Sequence, residues 1–180
     1  MKRMGSFSLL SRSLHWIMAA MLLTMLFVGT YMASTAGPAY PHLVNFHRPL
    51  GIAILILAVV RLASRLYSPV PPLPVELPSI VKLAAKASHI LLYGLMITMP
   101  LVGWGMLSAG SYPISLWGNI TLPPILPHNP ALWGALRTTH TLLAFLFIGL
   151  ILTHIGAALF HGLVRKDGVF SNIIHGREGR

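Results

Sequence analysis

Polar punctuation divides the chain into four long, predominantly apolar runs, at residues 14–34, 48–66, 87–108 and 138–163. A hydrocarbon core about 30 Å thick takes roughly 20 residues of helix to cross, so the pattern predicts four transmembrane helices. The first run follows Lys2, Arg3 and Arg12, as a secretory signal would. It is longer than the roughly 15 residues of a signal's apolar region and no cleavage site follows it, so it is read as a span.

The segments between runs are rich in breakers: Ala36-Gly-Pro-Ala-Tyr-Pro41, then Pro69-Val-Pro-Pro-Leu-Pro74 with Pro78, then Pro123, Pro124, Pro127 and Pro130. Such clusters predict turns or extended surface segments rather than further spans. The expected fold is all-α: a single integral membrane domain, a four-helix bundle with a short basic C-terminal tail, no internal repeat and no separate soluble domain.

Charge orients this bundle. Lys2, Arg3 and Arg12 precede the first span, Arg61, Arg65, Lys82 and Lys86 bracket the loop between the second and third, and Arg165, Lys166, Arg177 and Arg180 follow the fourth. Only Arg48 and Arg137 fall on the opposite side. The positive-inside rule predicts both termini in the cytoplasm of a multi-pass membrane protein. The end that bears the termini is called inner below, and the other outer. All three acids, Glu76, Asp167 and Glu178, are on the inner side, so the spans carry no carboxylate.

Composition agrees with this picture and narrows the chemistry. The chain is 55% hydrophobic and 9% charged, far below the roughly one-quarter charged of a soluble domain. A net charge of +10 would suggest nucleic acid in a soluble protein, but here the cations sit at the ends of apolar runs. Membrane lipid is therefore the expected partner, and no nucleic acid is. Because there is no cysteine, disulfides, thiolate zinc sites, iron–sulfur clusters and covalent c-type haem are all excluded.

Any metal falls to the nine histidines. Polar groups at membrane depth are costly and face a bundle interior or a functional site. His15 is at the inner end of the first span, His47 at the outer end of the second and His89 near the inner end of the third, while the fourth carries His140 outside and His154 inside. On an α-helix, the interval from His140 to His154 rises about 21 Å and turns about 40° short of four full turns. One face thus offers an imidazole at each level, with His47 at matching depth for His140 and His15 for His154. Two imidazoles at one depth, with neither thiolate nor carboxylate beside them, suit a metal with two trans axial positions and its own equatorial ligands, as in haem b. The expected metal ligands are therefore His15, His47, His140 and His154.

Gly51, one turn after His47, and Gly149 and Gly156, on either side of His154, are placed to leave room for a flat macrocycle. Arg48 and Arg137 are candidate partners for haem propionates, or interfacial cations snorkelling into headgroups. His89 and His161 are candidate cofactor contacts, handling protons or touching quinone; His161, seven residues beyond His154, also has the register to replace an inner ligand. Alternatives at this stage are histidines hydrogen-bonded between helices, or a small bundle that binds zinc without haem. His42, His128 and His175 read as surface residues. The nine Met and Trp16, Trp104, Trp117 and Trp133 read as packing and interface belt, and Pro100 as a bend in the third span.

The segments Ser13-Leu-His-Trp16, His47-Arg-Pro-Leu-Gly51, Val60-Arg-Leu62, Pro71-Pro-Leu-Pro74, Ala87-Ser-His-Ile-Leu-Leu-Tyr93 and Thr139-His140 with His154, in this order and spacing, resemble the bacterial cytochrome b561 family over residues 12–167. The resemblance implies a four-helix membrane protein with two non-covalent bis-histidine b haems that exchanges electrons with ubiquinone. The ligand pattern is also similar to that of the cytochrome b subunits of membrane-bound formate dehydrogenases and hydrogenases, where spans one and four hold the inner haem and spans two and four the outer. Some members of the family are superoxide oxidases, which makes superoxide a candidate outer donor. A membrane anchor passing electrons from a partner dehydrogenase to quinone is the alternative, with a redox partner protein in place of superoxide.

Overall fold

Ser8 opens the first helix, its hydroxyl accepting from the Ser11 amide at 3.2 Å, and α1 then runs through Leu9–Ser34. The computed structural model describes residues 7–67, 77–116 and 120–174. Lys2, Arg3, the proline segment 69–74, Glu76, Trp117, His175, Arg177, Glu178 and Arg180 lie outside the described residues. The chain continues as α2 (Tyr40–Tyr67), α3 (Ser79–Ala109), a two-stranded hairpin of β1 (Ile114–Ser115) and β2 (Thr121–Leu122), α4 (Pro130–Leu159), a π-helical turn (Phe160–Arg165) and α5 (Val169–Ile174). Four of these helices are long and apolar enough to cross a membrane, and the architecture is a four-helix membrane bundle.

The helices reach beyond the apolar runs, and two of the prolines read as loop breakers are found inside helical starts. Pro41 occupies the first turn of α2 and Pro130 begins α4. A first turn has no amide to lose to proline, whose fixed φ suits the position. Asn129 completes the start of α4 by accepting from the Leu132 amide at 3.0 Å. Helix α3 continues through Pro100, and α2 through the buried Pro49.

All four long helices contribute to one core: Met18 from α1, Leu50, Ile54 and Ala58 from α2, Leu92, Tyr93 and Met96 from α3, and Ile151 from α4. Elsewhere large apolar side chains point outward, among them Phe27, Ile56 and Phe145. A helix apolar all round is what a lipid environment calls for, and α4, with Ile151 its one buried residue, is the clearest case.

Each end of the bundle is closed by polar contacts. At the outer end Ser108, buried on α3, donates to the Trp104 carbonyl at 2.8 Å and accepts from the Ile125 amide at 3.1 Å, while Trp104 Nε1 donates to the Pro123 carbonyl at 2.9 Å. The antiparallel register pairs Ile114 with Leu122 and Ser115 with Thr121. At the inner end α5 folds back to α1. There Arg12 Nη2 donates to the Ile174 carbonyl at 2.7 Å and Trp16 Nε1 to that of Ile173 at 3.2 Å.

Candidate haem-binding sites

Five histidines of the spans gather into two tiers. In the outer tier, His47 of α2 and His140 of α4 have ring centroids 6.3 Å apart and planes inclined at 65°. In the inner tier, His15 of α1 and His154 of α4 stand 6.4 Å apart at 64°. Distances and angles nearly repeat at the two ends of α4.

That spacing tests the fit to a metal with trans imidazoles. With about 2.0 Å from metal to imidazole nitrogen and about 1.1 Å more to the ring centre, two such rings have centroids about 6 Å apart. Both pairs meet this value. Among the described residues no three His, Asp or Glu side chains form a group able to hold a bare metal ion. The pairs thus lack the third and fourth protein ligands of a structural zinc site.

A second observation points the same way in the outer tier. His47 Nδ1 and His140 Nδ1 are both buried with no hydrogen-bond partner. The Met99 carbonyl lies beside the His140 ring without completing a well-formed hydrogen bond. Buried imidazole nitrogens are normally satisfied, so a group that engages these rings answers a need the protein alone leaves open.

Space around the tiers is set by glycines, in part unforeseen ones. A Cβ on Gly103 of α3 would lie 3.3 Å from His140 Cε1, and one on Gly29 of α1 would lie 3.8 Å from His47 Cε1. Neither stood out in the sequence, because neither shares a helix with the ring it approaches. Gly149 and Gly156 have open space where a Cβ would project, whereas a Cβ on Gly51 would lie 3.7 Å from the Met25 Cε methyl.

The inner tier holds more than a pair. The His89 ring on α3 lies 5.5 Å from that of His154. Arg61 Nη2 donates to His15 Nδ1 at 2.9 Å, and the Arg61 and Arg65 guanidinium carbons lie 5.4 and 5.9 Å from the centre of the Tyr93 ring. Sequence reasoning assigned these arginines to topology alone, since an inner-end cation already has a reason to be there.

His161 is held apart from both tiers. In the π-helical turn its Nδ1 donates to Asp167 Oδ2 at 2.6 Å, and Arg165 Nε reaches the same oxygen at 3.2 Å. Burial pushes the Asp167 carboxyl up. The hydrogen bond from His161, that from the Val169 amide and the neighbouring charges of His161 and Arg165 outweigh it and hold the group below its ordinary value. A cavity of about 200 Å³ opens beside this pair, lined by His161, Gly162, Lys166, Gly168, Phe170 and Ser171.

At the outer end Arg48 donates to the Pro113 carbonyl at 3.2 Å, and the Arg137 guanidinium stacks 5.4 Å from the centre of the Trp133 ring. Ser111 hydrogen-bonds His128 Nδ1 at 2.8 Å, in the outer loop.

Comparison with known proteins gives the chain a family. The profile of a family described as prokaryotic cytochrome b561 matches residues 6–176. The chain is 31% identical to the probable superoxide oxidase CybB of Yersinia pestis, over 96% of this chain and 98% of that protein. It is 28% identical to cytochrome b561 homolog 2 of Escherichia coli K12, over 93% of this chain and 90% of the relative. Identity to cytochrome b561 homolog 1 of the same organism is also 28%, over 97% of this chain and all of the relative.

Proposed function

The chain belongs to the prokaryotic cytochrome b561 family and is a multi-pass electron-transfer protein of the bacterial inner membrane; we propose that it holds two non-covalent b haems and passes electrons between an outer donor, superoxide foremost, and ubiquinone. The observation that carries this reading is the near-identical spacing of two imidazole pairs, at 6.3 and 6.4 Å, on opposite ends of one helix. Likeness to CybB, a probable superoxide oxidase, supports superoxide as donor.

When bound, haem b held by a pair of histidines would supply one-electron transfer. The residues have separate tasks. His47 and His140 hold the outer group, with Gly103 and Gly29 letting the helices close on the two rings. His15 and His154 hold the inner one. Arg48 and Arg137 give the outer end its positive potential, which draws an anionic donor.

The inner cavity beside His161 suits the quinone head. His161 donates through Nδ1 to Asp167, so Nε2 faces its surroundings and is the atom that exchanges a proton with a bound quinone. His89, its ring 5.5 Å from that of His154, is a second proton-handling imidazole. The charge distribution supports an inner end in the cytoplasm.

A dithionite-reduced minus oxidised spectrum with pyridine haemochrome quantitation tests the reading. Two haems per chain are expected in wild type. One is expected in each of His15→Ala, His47→Ala, His140→Ala and His154→Ala, and two again in His89→Ala and His161→Ala. A wild-type chain with a single haem, or with none, overturns it.

A further inference from the structure

The inner tier contains two cations that the proposed ligand scheme does not use. Arg61 and Arg65, one turn apart on α2, both lie over Tyr93, which is only 9% exposed. Both ion pairs formed among the described residues are made by Asp167, so neither guanidinium has a carboxylate partner there. Buried or half-buried charge is costly until an opposite charge meets it.

Arg61 makes its hydrogen bond to His15 Nδ1 instead. A guanidinium has donors only, so Nδ1 accepts, and a neutral ring then carries its proton on Nε2. Neither nitrogen of His15 is open to a metal in that state: one faces Arg61 and the other is protonated. For His15 to hold a metal through Nε2, its proton must move to Nδ1, the nitrogen that Arg61 occupies, so Arg61 must give it up and find another acceptor.

We infer that Arg61 and Arg65, stacked on Tyr93, form an anion site that takes a carboxylate of the inner haem, and that Arg61 exchanges His15 for this carboxylate when the haem enters. The inference rests on the bis-histidine reading of the inner tier. It goes beyond that reading by assigning the recognition of the macrocycle's acidic edge to two arginines on α2. The exchange links loading to ligation, because the same event that frees His15 neutralises the charge that held it.

The test uses full-length protein in detergent, its haem drawn off into excess apomyoglobin and replaced by haem b or by haem b dimethyl ester, whose carboxylates are blocked. Soret titration reads affinity, and the inner site is the one that survives in His140→Ala. Wild type should bind the ester at the inner site at least about tenfold more weakly than haem, as expected for the loss of hydrogen bonds to a charged group. The double variant Arg61→Gln, Arg65→Gln should bind the two porphyrins alike, and Arg61→Lys should keep part of the preference. If the double variant loses its helical circular dichroism, the wild-type and Arg61→Lys titrations decide.

Equal binding of haem and ester at the wild-type inner site overturns the inference. So does a folded double variant that still prefers haem. If the anion is instead a lipid phosphate, esterification has no effect, while phosphatidylglycerol vesicles raise the melting temperature of wild type and not of the double variant; that result also overturns it. Failure of the underlying reading looks different: the inner site then binds neither porphyrin, and His15→Ala leaves haem content unchanged.

Discussion

Gly103 and Gly29 serve the same outer tier at different tolerances. A Cβ at 3.8 Å from the His47 ring is in ordinary contact, whereas one at 3.3 Å from the His140 ring forces that ring to move. Moving it off its rotamer costs about 1 kcal/mol, which is roughly a fivefold change in an equilibrium. Gly103→Ala is therefore expected to release the outer haem about fivefold faster to apomyoglobin, and Gly29→Ala to leave release unchanged. Equal rates for the two variants would remove Gly103 from the site. These residues also mark the limit of what the sequence discloses. Depth along a helix can be counted from one chain, so the pairing of His15 with His154 and of His47 with His140 was open to inspection. Which residue of a third helix faces a given ring depends on helix rotation, which no count from a single run supplies. That is why Gly103, Gly29, the Arg61 contact to His15 and the approach of Met25 to Gly51 come only from the structure.

The π-helical turn and α5 behave as one inner latch. Lys166, with φ 51°, and Gly168, with φ 82°, reverse the chain after the turn, and Phe170 packs so closely on Gly162 that a Cβ there would lie 2.6 Å from its ring. Asp167 ties the reversal together through His161 and Arg165. Because its folded carboxyl sits below the ordinary value of 3.8, the pairing stabilises the latch above that pH and is lost as pH falls through the lower folded value. Amide exchange of residues 169–174, corrected for the intrinsic rate, should rise as wild type is taken into that acid range. In Asp167→Asn it should be high at neutral pH and show no such rise; a variant as protected as wild type would dismiss the latch. Little of this element was visible beforehand. The apolar run ends near Leu163 and charges follow, a pattern equally suited to a loose basic tail. The four spans, by contrast, follow from twenty-residue apolarity alone, a property that lipid imposes on each helix separately.

Across the whole molecule, charge is segregated. Among the described residues, the outer end has Arg48 and Arg137 as its cations and no carboxylate. If superoxide is the donor, replacing both arginines with Gln should slow superoxide-driven haem reduction by about tenfold at low salt and flatten its dependence on ionic strength. A stopped-flow series across salt concentrations reads both effects, and unchanged rates would dismiss steering. Gly162 and the reversal after it have a further consequence for how the protein is made. Arg12 and Trp16, near the start of α1, direct their donors to the carbonyls of Ile174 and Ile173. Those acceptors are synthesised about 160 residues later. The first of the four spans thus waits, with its inner end unfinished, for residues made after the fourth, and a nascent chain stalled before them would hold four inserted helices around an open floor.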